Sequence, residues 1–204
     1  MRLIFATGNK GKVREALEIL GPEYEIVTSE MMGVTEDIPE TGSSFRENSL
    51  QKAMYLWDRF HEMCIADDSG LEVDALGGDP GIYSARYAGE DKNFSHNIDK
   101  VLHELSVLEI KALAAGKPAL QRTARFRCCV TLITSDGKPH FFDGTLEGKI
   151  GFERKGDGGF GYDPIFIPDC FGGEKSLAQV TEEEKNSVSH RGSALRQMAE
   201  FLRR

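Results

Sequence analysis

The sequence predicts an α/β protein built on a mixed sheet, and three observations carry that reading. Short apolar runs with strand character alternate along the chain with amphipathic stretches of helical period. Two of the runs, Phe126 to Thr134 and Phe141-Phe142 onward, are joined by Ser135-Asp136-Gly137, a hairpin signal that adds antiparallel strands to the alternation. Polar, glycine-bearing loops follow strands four times along the chain, which is where α/β sheets hold their ligands.

Each element has its own warrant. Residues 2–7 read as a strand. A loop bracketed by Gly8 and Gly11 leads into a helix with Val13, Ala16, Leu17 and Leu20 at spacings 3, 4 and 7, stopped by Gly21-Pro22. Glu25-Ile26-Val27 forms a short strand, and Met32 to Ser43, with Gly33, Pro39 and Gly42, a loop. Ser44 and Glu47 have capping-box spacing for a second helix, whose Leu50, Ala53, Met54 and Trp57 line one face. The apolar run ahead of Asp67 is a strand that gives way at Gly70. A glycine-rich loop, Gly77 to Gly81, leads to Tyr83-Ser84-Ala85-Arg86-Tyr87, and residues 96–114 are mostly helical. Lys117-Pro118 opens the hairpin region. A glycine cluster from Gly156 to Pro164 precedes the strand-like Ile165-Phe166-Ile167. Thr181 and Glu184 cap a short helix, and a final helix packs Leu195, Met198, Ala199 and Leu202. With no internal repeat and no long linker, residues 1–204 read as one domain.

Bulk composition narrows the function. A formal net charge of -8 argues against a general nucleic-acid binder, so positive charge toward a phosphate-bearing ligand must be local. No apolar run approaches the ~20 residues of a membrane helix, and the first strand is too short to act as a signal peptide. Cys64, Cys128, Cys129 and Cys170 lack metal-ligand spacing and read as buried thiols, in keeping with a reducing cytoplasm.

Ile65-Ala66-Asp67-Asp68-Ser69-Gly70-Leu71 is the segment richest in chemistry. Carboxylates behind an apolar run are expensive unless paired or bound to a metal. Two facing one site would repel, raising one pKa or calling for a cation. Asp67 and Asp68 therefore point to a divalent metal, a general base, or both; the plain alternative is a polar turn closing a strand. Thr7-Gly8-Asn9-Lys10-Gly11-Lys12 lies between a strand and a helix N-terminus, where free backbone N–H groups and the helix dipole favour an anion. It is not a P-loop, because Val13 stands where the metal-binding hydroxyl would be; the alternative is a tight turn with solvated lysines. Glu40, in a loop after Pro39, is a better partner for Asp68 around a cation than Glu47, which has a capping role. Lys52 lies away from the apolar stripe, where a solvated lysine is the default. Phe160, among glycines, could stack on a base or plug the core, and His190-Arg191 could offer donors to a base edge.

Together these segments resemble the Ham1/inosine triphosphate pyrophosphatase family. The resemblance rests on Thr7 to Lys12, Ala66 to Leu71, Gly77 to Arg86, Gly159 to Pro164 and Glu184 to Gly192, in the family's order from residue 2 to about 202. It implies a long mixed β-sheet flanked by helices forming two lobes around a substrate cleft, in a homodimer. It also implies hydrolysis of ITP, dITP and XTP to the monophosphate and pyrophosphate with Mg²⁺, as a house-cleaning activity on nucleotides rather than nucleic acid. By resemblance Asp68 is the catalytic acid-base residue and, with Glu40, a metal ligand. Thr7, Gly8, Asn9, Lys10, Gly11, Lys12 and Lys52 hold the triphosphate, and Ser69 touches substrate. Phe160, Gly161, Tyr162, Asp163, Lys185, His190 and Arg191 surround base and sugar. The segment 104–123 matches no motif and receives no role. A Maf-type pyrophosphatase and a non-catalytic nucleotide sensor are the rival readings.

Overall fold

The computed structural model describes residues 1–203. In chain order the elements are β1 (Arg2–Phe5), α1 (Lys10–Leu20), β2 (Glu25–Thr28), α2 (Phe45–Phe60), β3 (Cys64–Val73), α3 (Phe94–Ala114), β4 (Thr123–Ile133), β5 (Pro139–Ile150), β6 (Phe166–Pro168), α4 (Glu182–Val188) and α5 (His190–Leu202). Single-turn helices fill much of the remainder, including Gly81–Arg86. The strands form one sheet in the order β2-β1-β3-β4-β5-β6. β1 pairs in parallel with β2, Leu3 opposite Ile26, and with β3, Ile4 opposite Cys64. β5 and β6 pair antiparallel, Lys149 opposite Ile167, so the sheet is mixed as expected.

The caps explain the helix starts. Asn9 accepts from the Gly11 and Lys12 amides to open α1, and Gly21, at φ 87°, supplies the left-handed residue that ends it. Ser44 accepts from the Glu47 amide to open α2. The Glu47 carboxylate reaches back to the Ser43 amide and hydroxyl rather than to Ser44, so the box is displaced by one residue. Thr181 and Glu184 close their box as the spacing predicts.

The chain divides into two compact units. The first comprises residues 1–69, 128–145 and the chain from 189 onward; the second comprises 70–127 and 146–188. In the first unit Leu3, Phe5 and Ile65 pack with α1 (Ala16, Leu20) and α5 (Ala194, Leu195, Met198). A separate cluster sets Ile4, Cys64 and Ala66 against Ala53 and Leu56 of α2. Leu17, placed on the apolar stripe by its spacing, is exposed instead. Gly144 on β5 lets α5 approach: a Cβ there would stand 1.9 Å from the His190 carbonyl oxygen. In the second unit Leu71, Val73, Val101, Leu105, Phe126 and Phe166 form the core. Cys64, Cys128 and Cys129 are buried, and burial pushes the first two thiols up to about 12. Cys170 is exposed, against the expectation of four buried thiols.

Candidate active site

The strand carrying the paired aspartates does not end at them. β3 runs on to Val73, so Asp67-Asp68-Ser69-Gly70 is strand and not a turn. Successive strand side chains point to opposite faces. Ile65 and Asp67 therefore share the α1/α5 face, while Cys64, Ala66 and Asp68 share the α2 face. The two aspartates do not face one site, as the sequence reading allowed; each has its own surroundings.

Asp67 is 1% exposed and its oxygens are saturated. Lys12 Nζ donates to Oδ1 at 2.9 Å, Arg191 Nε to Oδ2 at 2.9 Å, and Ser69 Oγ to Oδ2 at 3.0 Å. Arg191 also donates from Nη1 to Glu15 Oε2 at 3.1 Å and from Nη2 to Ser69 Oγ at 3.3 Å. Ser189, the N-cap of α5, donates its hydroxyl to Glu15 Oε1. Burial alone would keep Asp67 neutral, but Lys12 and Arg191 outweigh it and hold the carboxyl well below the usual carboxylate range. Burial likewise draws the Lys12 ammonium down, against the pull of Asp67.

Asp68 is less enclosed. Asn48 Nδ2 donates to Oδ2 at 3.0 Å, and Lys52 Nζ stands 3.5 Å from Oδ1 while also pairing with Glu40 Oε1. Burial pushes the Asp68 carboxyl above its ordinary value, helped by the charge of Glu40 and opposed by Lys52. Lys52 is not the solvated lysine its position predicted. It lies on the buried face of α2 with Asn48, Ser49, Ala53 and Leu56, where burial would neutralise it but Asp68, Asp67 and Glu40 hold it protonated. Glu40 and Asp68 thus converge on a single cation. Two carboxylates at one point suit Mg²⁺, which takes few protein ligands and completes its shell with phosphate oxygens and water. No group of three or more His, Cys, Asp or Glu side chains able to hold a metal ion is found among the described residues.

The loop Thr7 to Lys12 is placed as expected but not as free as expected. The Gly11 and Lys12 amides are taken by Asn9, and the Asn9 amide by Thr7 Oγ1 at 3.1 Å. Gly8, Asn9, Lys10 and Gly11 are exposed, so Lys10 and Lys12 carry most of the loop's attraction for an anion.

The remaining site residues fall in two places. His190 and Arg191 belong to the first unit, with Arg191 nine-tenths buried and three of its five N–H donors spent on Asp67, Glu15 and Ser69. That geometry makes it a buried cross-link between α5, α1 and β3, a tighter role than the base-edge donor anticipated. Phe160, Gly161, Tyr162, Asp163 and Lys185 belong to the second unit. Buried Asp163 accepts from the Phe160 amide at 2.7 Å and from Lys185, whose Nζ sits 4.3 Å from the centre of the Phe160 ring. Phe160 is 45% exposed, so it does not plug the core. Buried Tyr162 donates to the Ser84 carbonyl at 2.8 Å and anchors the loop.

Two residues of the site escaped the sequence reading. Asn48 and Glu15 are both buried polar groups on the opposite side of their helices from the apolar stripes that spacing picks out. No local spacing marks either of them, because their partners Asp68 and Arg191 are distant in sequence.

The chain matches the Ham1 family from residue 3 to residue 201. It belongs to the Ham1 family. Among Ham1 relatives, the dITP/XTP pyrophosphatase of Halalkalibacterium halodurans is 49% identical over 98% of this chain and 97% of its own length. That of Bacillus subtilis is 46% identical over 98% and 96%. A Ham1 protein from Coxiella burnetii superposes with a TM-score of 0.88 at 34% identity, covering 100% of this chain and 98% of its own. The Ham1 fold is therefore the fold of this protein.

Proposed function

We propose that this chain hydrolyses the noncanonical purine nucleoside triphosphates ITP, dITP and XTP to the nucleoside monophosphate and pyrophosphate. The observation that carries the proposal is the Asp68 carboxylate, raised in pKa and set beside Glu40 and Lys52, in a chain that aligns end to end with proteins named dITP/XTP pyrophosphatase.

Glu40 and Asp68 would hold Mg²⁺, which when bound neutralises charge on the triphosphate and its leaving group. Asp68 accepts the proton of the water that attacks the α-phosphorus, a task favoured by a carboxyl whose pKa lies above the ordinary value. Lys12 and Lys52, with Thr7 and the exposed Gly8 to Gly11 loop, hold the triphosphate. Ser69 is assigned to substrate contact, and Asp67 keeps Lys12 charged and in place. The half-exposed Phe160 ring offers a stacking face for the base, with Lys185 held over it by Asp163. Gly161 and His190 complete the assignment to base and sugar, with Tyr162 and Arg191 supporting the site from within the protein. Donors here would donate to the 6-keto group of hypoxanthine and xanthine and mismatch adenine's 6-amino group, a discrimination worth ~10⁴ where the groups are buried. We further assign the protein to the cytoplasm and to a homodimer. No helix among the described residues is long and apolar enough to cross a membrane.

Phosphorus NMR of the reaction with ITP tests the reading. IMP and pyrophosphate should appear together, with no diphosphate intermediate, and ATP should turn over far more slowly. With no group assigned to the 2′-hydroxyl, kcat/KM for ITP and dITP should agree within roughly tenfold. IDP and orthophosphate as first products would refute it, and a preference for pyrimidine triphosphates would move the protein to the Maf-type reading.

A further inference from the structure

We propose that Glu15 is a positioning residue: its carboxylate fixes the Arg191 guanidinium and, through Arg191 and Asp67, the Lys12 ammonium on the triphosphate side of the site. The inference rests on the proposed function, in which Lys12 meets phosphate.

Glu15 is 7% exposed, an unusual place for a glutamate unless its charge is paired. Both oxygens are committed, Oε2 to Arg191 Nη1 at 3.1 Å and Oε1 to the Ser189 hydroxyl. From Arg191 the network passes through Nε to Asp67 Oδ2 at 2.9 Å, and from Asp67 Oδ1 to Lys12 Nζ at 2.9 Å. Glu15 and Lys12 lie three residues apart on α1, hence on one face of that helix. The network is closed and its charges balance: Lys12 and Arg191 are the cations, Glu15 and Asp67 the anions. Without the Glu15 charge, two buried cations compete for one carboxylate. Asp67 is then drawn toward Arg191, and Lys12 loses the anchor that sets its Nζ. Glu15 itself touches no substrate in this account, and its effect on catalysis is transmitted.

A purely structural Glu15 would only dock α5 on α1, and kinetics at a temperature well below the melting point separates the two roles. Glu15→Gln keeps the shape and one acceptor while removing the charge. It should stay folded by circular dichroism and lower kcat for ITP by about tenfold to a hundredfold, with a smaller rise in KM, the scale expected when a binding group is displaced by about 1 Å. Glu15→Asp, which keeps the charge, should retain more of the rate. The Glu15→Gln and Arg191→Lys effects should be non-additive, the double variant costing little more than Arg191→Lys alone. A folded Glu15→Gln enzyme with wild-type kcat overturns the inference, as does simple additivity with Arg191→Lys. If neither Glu15 variant folds, Glu15 is a folding requirement and the proposal falls. Lys12→Ala distinguishes the two layers. Loss of turnover in Lys12→Ala with none in Glu15→Gln sinks only the inference, whereas wild-type turnover in Lys12→Ala sinks the phosphate assignment beneath it.

Discussion

The two faces of β3 present adjacent aspartates to opposite fates. On the α1/α5 face Asp67 sits in a closed set of two carboxylates and two cations, every Asp67 oxygen bonded within the protein. On the α2 face Asp68 and Glu40 both reach the ammonium of Lys52. The first set is electrically balanced; the second is rich in carboxylate, which suits a divalent cation. One carboxyl is held down in pKa and the other is pushed up, though they are neighbours in sequence. Strand alternation alone makes this division possible. Under the proposed function, identical side chains one residue apart serve as scaffold and as reagent.

The largest expected effect is on rate. Asp68→Asn should lower kcat by at least ~10² to 10⁴, the usual size of an acid-base contribution, with circular dichroism unchanged. Steady-state turnover of ITP measures it. Near-normal turnover would end the distinction between the faces.

Next in size is a stability effect on the other face. Asp67→Asn leaves Lys12 and Arg191 buried without their shared anion, a loss of about 3–5 kcal/mol, or roughly 10 °C in melting temperature at this chain length. The pH dependence has a definite sign. The folded pKa of Asp67 lies below the unfolded value, so its stabilisation is full above about pH 4 and fades as the pH falls through the folded value. The gap between wild-type and Asp67→Asn melting temperatures should therefore be constant near neutrality and narrow in acid. A gap that widened in acid would reverse the assignment.

A smaller effect is expected at Glu40, which is only partly buried. Under the proposed function, Glu40→Gln should raise the Mg²⁺ concentration needed for half-maximal rate by about tenfold, since one of the two proposed carboxylate ligands is weakened while Asp68 remains. A magnesium titration of turnover checks it, and an unchanged requirement would remove Glu40 from the metal site.

How much of this was legible in the sequence depends on range. Helix starts at Ser44 and Thr181 and the stop at Gly21 are local chemistry and stand within a residue of their expected places, whereas the first helix begins at Lys10, inside the expected glycine loop. The alternation of elements also sufficed for the mixed sheet. What local pattern could not supply was the continuation of β3 through Asp67 to Gly70, because Asp, Ser and Gly favour turns until tertiary partners override them. Lys52 was misjudged for the same reason. Spacing puts the stripe through Leu50, Ala53, Met54 and Trp57, of which only Ala53 is buried, whereas the buried face runs through Asn48, Ser49, Lys52, Ala53 and Leu56. Arg191 and Glu15 meet across 176 positions, and no spacing rule reaches that far.

Thermal melting of Asp67→Asn and Asp68→Asn side by side, at neutral pH with chelator and no nucleotide, tests the division of labour most directly. The Asp68 carboxyl has a folded pKa above its unfolded one, so its ionisation opposes folding as pH rises through that window, and its amide replacement relieves the cost. Asp68→Asn should therefore melt at or above the wild-type temperature while Asp67→Asn melts about 10 °C below it. Equal losses in the two variants would contradict the account, making both aspartates scaffold and leaving neither face free for chemistry.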